Sequence, residues 1–85
     1  MKHGISFELA RHVFSDPDAF VEQDRWAGAE RRWQTTGMIE GVLVVLVAHT
    51  VEEAGADEVI RIISARRANG KERRRYEEER QKNYG

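Results

Sequence analysis

The chain has 85 residues, 34% charged and 40% hydrophobic, with no cysteine and a net charge of −1. That length holds one domain, spanning residues 1–85, with an expected stability of roughly 4–13 kcal/mol. The missing cysteines exclude a disulfide scaffold, Cys-ligated zinc and a thiol nucleophile, and a chain this short leaves room only for a surface groove as a site. The longest apolar run, Val42–Ala48, is far below the roughly 20 residues of a membrane helix. No signal-peptide apolar region follows Met1-Lys2-His3. A cytoplasmic protein without membrane contact is expected.

Residues 6–16 read as a short helix, with Ser6 as N-cap and Glu8 in the first turn. Phe7, Ala10, Val13 and Phe14 form its apolar stripe. Pro17 ends it and pushes Asp16 out of helical geometry. Residues 19–26 read as a strand, Ala27-Gly28 as a turn and residues 31–38 as a second strand. In that strand Arg31, Trp33 and Thr35 share one face, and Arg32, Gln34 and Thr36 the other. Gly37 signals a bulge or a close backbone approach, and Glu40-Gly41 a turn. The β-branched run from Val42 to His49 predicts a central strand covered on both faces. Residues 50–57 are acidic and read as a loop, followed by a strand over 59–65. There Val59, Arg61 and Ile63 are expected opposite Ile60, Ile62 and Ser64. Asn69 and Glu72, in capping-box register, open a last helix from Gly70 to about Lys82. Short connections without crossover helices predict an α+β fold: a four-stranded antiparallel sheet, with an N-terminal helix and a C-terminal basic helix packed on it.

The charge is unevenly placed. Residues 1–60 hold five Lys and Arg against eleven Asp and Glu, a balance of −6, and residues 61–85 hold nine against four, a balance of +5. Arginine outnumbers lysine eleven to three, a bias that suits bidentate phosphate contacts. In the last helix Lys71, Arg73, Arg74 and Arg75 precede Glu77, Glu78 and Glu79. That order opposes the helix dipole and places the i,i+4 pairs in their weaker orientation. The bland reading is a solvated, salt-bridged helix; the sharper one is a row of cations held for an anion. Arg61 stands between apolar neighbours and points to the sheet margin or a groove, or simply extends its head to solvent. His49 ends the central strand. His3 and His12 are weaker candidates, and the three histidines lack close metal-ligand spacing. Trp26 and Trp33 read as packing residues rather than base-stacking platforms.

Four segments also carry a resemblance. Lys2-His3-Gly4-Ile5-Ser6-Phe7, Val13-Phe14-Ser15-Asp16-Pro17, Arg61-Ile62-Ile63-Ser64-Ala65-Arg66 and Glu72-Arg73-Arg74-Arg75-Tyr76-Glu77 together resemble the BrnT family. These are the toxins of bacterial type II toxin–antitoxin pairs. The resemblance implies a fold similar to RelE-type ribonucleases. It also implies a metal-independent RNA endonuclease that inhibits translation and uses no cofactor. The implied partner is a BrnA-type antitoxin whose ribbon-helix-helix part binds operator DNA, so that the pair represses its own operon. Typical members carry a strand and helix ahead of the Lys-His-Gly segment. Here Met1 precedes it directly, and the sheet is expected to lose that edge cover.

Metal-free RNA cleavage needs a proton acceptor for the attacking 2′-hydroxyl, a proton donor for the leaving 5′-oxygen and fixed positive charge at phosphorus. Arg66 and Arg61 are the candidates for the charge, with Arg73 next. Tyr76, Glu72 and His49 are the available titratable groups. A tyrosine needs nearby cations to act as a base, which the arginine cluster is expected to supply. Arg67, Lys71, Arg73, Arg74 and Arg75 are expected to hold RNA. The resemblance supports Arg66, Glu72, Arg73 and Tyr76 as motif positions and assigns them no roles. The alternative is a non-enzymatic module that binds nucleic acid or a protein partner through the same arginines.

Overall fold

Ser6 opens the first helix: its Oγ accepts the Leu9 N–H at 3.2 Å, the N-cap arrangement that satisfies a free helical donor. The computed structural model describes residues 4–27 and 30–84, and the side chains of these except 24–27, 30 and 84. His3, Gly28 and the Trp26 side chain therefore lie outside the described residues. The first helix, α1, covers only Phe7–Ala10 and tightens into a 3-10 turn over Arg11–Ser15. The expected single helix is thus two windings, and the tighter one turns the apolar stripe away from its first member. Ala10 and Val13 are buried, but Phe7 is 49% exposed. Asp16, before Pro17, is extended at φ −78° and ψ 117°, as a pre-proline residue must be.

Four strands follow: β1 (Phe20–Ala27), β2 (Glu30–Ile39), β3 (Leu43–Ala54) and β4 (Asp57–Arg67). They pair in chain order and antiparallel throughout. Glu40 and Gly41 make the β2–β3 turn with φ of 54° and 69°, the two positive values of the turn whose twist fits a tight hairpin. Gly37 keeps the regular β2–β3 register, so it marks a close approach and not a bulge. A Cβ there would lie 2.9 Å from Val13 Cγ1. The acidic stretch expected as a loop is instead strand: Thr50 to Ala54 pair with Arg61 to Asp57. Both faces of that hairpin end are exposed, so the ladder accommodates glutamates without burying them.

The sheet has two covered faces. On one, Val45 and Val47 of β3, Ile39 of β2 and Ala65 of β4 join Ile5, Ala10 and Val13 in the core. Full burial of each valine contributes about 1.5–3 kcal/mol. On the other lie Val44 and Leu46, both buried, beneath the last helix, α2 (Gly70–Tyr84). At the outer edge of β4, Gly4 bridges Arg66 and the Ile5 N–H donates to the Ala65 carbonyl at 3.2 Å.

Asp16 ties the layers together. β1 starts at Phe20, opposite Thr36, so the Met38 N–H reaches past its end. Asp16 Oδ2 accepts that N–H at 2.7 Å and the Tyr76 hydroxyl at 2.6 Å. Its Oδ1 accepts the Asp18 N–H at 2.9 Å. Tyr76 is the one buried residue of α2 among the described residues, at 1% exposed.

Candidate active site

A bulge in β4 decides which side chains meet. Ala48 pairs with Ser64 and His49 with Ile62, leaving Ile63 as an extra residue on β4. Simple alternation sets Arg61 against Ser64. The extra residue resets the parity, so Ser64 and Arg66 share the face of Arg61. Directly paired residues lie on one face, and Arg66, Ser64 and Arg61 stand opposite Leu46, Ala48 and Thr50. This is the face that α2 crosses. Ile62 turns into the core beside His49. Arg67 pairs with Val45 and so faces the opposite way from Arg66.

Arg66 forks onto Glu72, with Nη1 donating to Oε1 at 2.8 Å and Nη2 to Oε2 at 2.9 Å. Glu72 Oε1 also accepts the Asn69 N–H at 2.8 Å, and Asn69 Oδ1 accepts the Glu72 N–H at 2.8 Å. The capping box read from the sequence is therefore closed in both directions, and one carboxylate both starts α2 and holds the β4 arginine. The hydrogen bond from Arg66 holds the Glu72 carboxyl below its ordinary range, and the same bond raises Arg66 further. The pair is half-exposed, with side-chain accessibilities of 52% for Arg66 and 24% for Glu72. A solute anion can thus compete for the fork.

The cations of α2 divide into two groups. Arg75 pairs with Glu22 on β1 at 2.6 Å and lies 5.2 Å over the Phe20 ring. It therefore does not form the expected i,i+4 pair with Glu79, which meets Lys82 at 3.3 Å instead. Lys71, Arg73 and Arg74 are exposed. Neither Arg73–Glu77 nor Arg74–Glu78 forms an ion pair among the described residues.

Two expected proton carriers are placed otherwise. Tyr76 faces Asp16 and Asp18, with Arg80 as the one arginine acting on it, and weakly. Burial and the hydrogen bond to Asp16 push its pKa well up, the opposite direction from a tyrosine activated by cations. His49 points into the core on the opposite face from Arg66. It is 2% exposed and edge-on to Phe14 at 5.1 Å. Its Nδ1 reaches the Thr50 carbonyl at 3.4 Å, and its Nε2 meets Thr35 Oγ1 at 2.7 Å. The neutral ring with the proton on Nδ1 satisfies both, and burial lowers its pKa. Phe14 and Thr35 account for His49 as a packed core histidine.

Asp16 escaped the sequence reading as more than a helix stop. Its signal was an Asp before Pro at a helix end, a position that caps its own turn. Burial pushes its carboxyl up, but the hydrogen bonds from Tyr76 and from the Met38 and Asp18 N–H groups outweigh that and hold it low. Among the described residues no group of three or more His, Asp or Glu converges as a metal site, and no helix is long and apolar enough to cross a membrane.

No curated protein matches the chain. A family model does match, over residues 1–72 of the 85, and by that match the chain belongs to the BrnT family, the ribonuclease toxins of type II toxin–antitoxin systems.

Proposed function

We propose that this toxin cuts RNA without a metal ion, using Arg66, Arg61 and Glu72. The observation that carries the reading is the β4 bulge, which brings Arg61 and Arg66 to one face with Arg66 forked onto a carboxylate. A phosphodiester arriving at Arg66 offers the same two-oxygen geometry that Glu72 offers in the free protein. Exchange of one for the other releases Glu72 from the hydrogen bond that keeps its pKa low, so it becomes a stronger proton acceptor as the substrate docks. Glu72 then takes the 2′-hydroxyl proton and the O2′–P bond forms. Arg66 holds the charge on the phosphorane, and Arg61, further along the same face, holds an adjoining phosphate of the strand. The P–O5′ bond breaks, and the 5′-oxygen leaves with a proton from solvent. A 2′,3′-cyclic phosphate and a 5′-hydroxyl result. Tyr76 positions α2 in this scheme, and His49 supports the sheet from its other face. Lys71, Arg73 and Arg74 steer the RNA.

The supporting partner reading is an antitoxin of the BrnA type that covers this cationic face and carries the operator-binding part of the pair. The chain acts as one cytoplasmic domain. Cleavage of RNA by the purified protein in EDTA tests the proposal. Arg66→Ala is expected to abolish it while the melting temperature stays near wild type, because an exposed ion pair contributes only about 0.2–1 kcal/mol. RNA bound but left intact by the wild-type protein would leave a binding module instead.

A further inference from the structure

On the same face, beyond the Arg66 row, two donors have no acceptor. Arg32 Nε and Thr50 Oγ1 are buried with no hydrogen-bond partner among the described residues. Thr50 is 1% exposed. Arg32 of β2 and Thr50 of β3 are each the next residue past Trp33–His49, the last pair of the β2–β3 register, and so lie at the same end of the ladder on one face. Arg61 of β4 pairs with Thr50 from the other flank. A row across three strands thus reads arginine, threonine, arginine. Buried polar groups are almost always satisfied, and an unsatisfied pair of neighbouring donors is an arrangement that folding alone disfavours. Both donors lack the same thing, an oxygen acceptor.

We propose that Arg32 and Thr50 form a phosphate site for the RNA strand, flanking the phosphodiester held at Arg66. The inference rests on the ribonuclease reading above. Arg32 is only half-buried, so a change of its rotamer uncovers Nε and the threonine hydroxyl together. An anionic oxygen then accepts from both, with the guanidinium of Arg61 alongside. Leu46, opposite Arg66, and Thr50, opposite Arg61, are four residues apart on β3. That is about 13 Å along a strand, a span for a few nucleotides of single strand. Between them the face presents Gln34 and Ser64, both paired with Ala48. RNA is favoured over an acidic peptide because the row is continuous with the Arg66 face and both orphan groups are donors suited to phosphate oxygens.

Thr50→Val removes the hydroxyl and keeps the shape, so the variant folds at least as stably as wild type. Inorganic phosphate is titrated while the Arg32 Nε–H resonance is followed by NMR. A non-cleavable 2′-O-methyl oligonucleotide is titrated in parallel. Phosphate is expected to shift that resonance in wild type. Thr50→Val is expected to weaken both ligands by about fivefold to tenfold, and Thr50→Ser to restore them. Arg32→Gln should lower the slope of log affinity against log salt by about 0.7, the value for one single-strand phosphate fewer neutralised. An unmoved Arg32 resonance, or wild-type affinity in both Thr50→Val and Arg32→Gln, overturns the site even if RNA is still cleaved. A site confirmed in a protein that never cleaves RNA leaves this inference standing and sinks the cleavage reading. Intact phosphate and RNA binding with weakened antitoxin capture marks a protein-docking surface and overturns it as well.

Discussion

Glu72 links two jobs that are usually separate, the start of a helix and the restraint of an arginine. Glu72→Gln isolates them, because glutamine also closes a capping box but carries no charge and accepts no proton. Cleavage in EDTA is expected to fall by about 10²–10⁴-fold, the usual contribution of a general base, with the melting temperature within a few degrees of wild type. Equal rates would remove Glu72 from the chemistry. Tyr76 has the opposite profile. Its hydroxyl donates to the half-buried Asp16 carboxylate, and Tyr76→Phe is expected to cost about 1.5–3 kcal/mol, read from urea unfolding at neutral pH. Its folded pKa lies above the ordinary value of 10.0. The stability it contributes is therefore fully present below pH 10 or so and lost as pH rises through the folded value. Wild type should lose stability at alkaline pH, and Tyr76→Phe should lose less. His49 works the other way. Its folded pKa lies below 6.5, so the unfolded chain takes up a proton that the folded chain refuses. Its contribution is present above pH 6.5 or so and declines as pH falls through the folded value. Urea midpoints that do not fall between pH 7 and pH 5 would contradict a neutral, buried His49. Tyr76 and His49 each have a partner far away in sequence. Tyr76 and Asp16 are 60 residues apart, so residue type alone does not reveal the surroundings of the tyrosine or the histidine, whereas the Asn69–Glu72 pair, three residues apart, is legible.

The elements that were legible are those written in short-range chemistry. The β2–β3 turn follows from Glu40-Gly41, the α2 start from Asn69 and Glu72, and the buried centre of β3 from its β-branched run. The antiparallel order then follows from short connections. What was not legible depends on what a strand meets. The bulge at Ile63 has no signature in glycine or proline. It arises where Ile62 turns into the core beside His49 while Arg66 stays on the α2 face, and regular alternation cannot satisfy both. Likewise, β3 continues through Glu52 and Glu53 because β4 is there to pair with them. Gly37 is an intermediate case: the residue announced a constraint, and the structure supplied its cause in Val13. Gly37→Ala places a Cβ 2.9 Å from Val13 Cγ1 and 3.1 Å from Ala19 Cβ. Overpacking of this kind costs about 1–3 kcal/mol, and about 4–8 °C of melting temperature per kcal/mol is expected for a domain of this size. An unchanged melting temperature would mean that the 3-10 turn shifts off β2 freely.

At the scale of the whole molecule, an acidic sheet carries a basic C-terminal end, with balances of −6 over residues 1–60 and +5 over residues 61–85. Part of that positive charge is used within the fold: Arg75 by Glu22, Arg66 by Glu72 and Arg80 by Asp18 at 3.6 Å. Lys71, Arg73 and Arg74 remain exposed at the N-terminal end of α2, where the helix dipole makes cations unfavourable. If they serve stability, reversing them should harm it; if they serve a polyanion, reversing them should harm only binding. Exchanging Arg73 and Arg74 for Glu, with Glu77 and Glu78 exchanged for Arg, separates these cases. It keeps composition, net charge and the Arg75–Glu22 and Arg66–Glu72 pairs. It also puts acids at the positive end of the dipole and orients the i,i+4 pairs favourably. The exchanged protein is expected to be as stable as wild type or slightly more so, by under roughly 2 kcal/mol. Its RNA binding should fall, and its salt slope should shrink by about 0.7 for each phosphate no longer neutralised. Cleavage by the exchanged and wild-type proteins, compared at two salt concentrations, decides the matter. Retained cleavage with the wild-type salt dependence would make the charged N-terminal end of α2 a solvated surface and leave RNA to the sheet face alone.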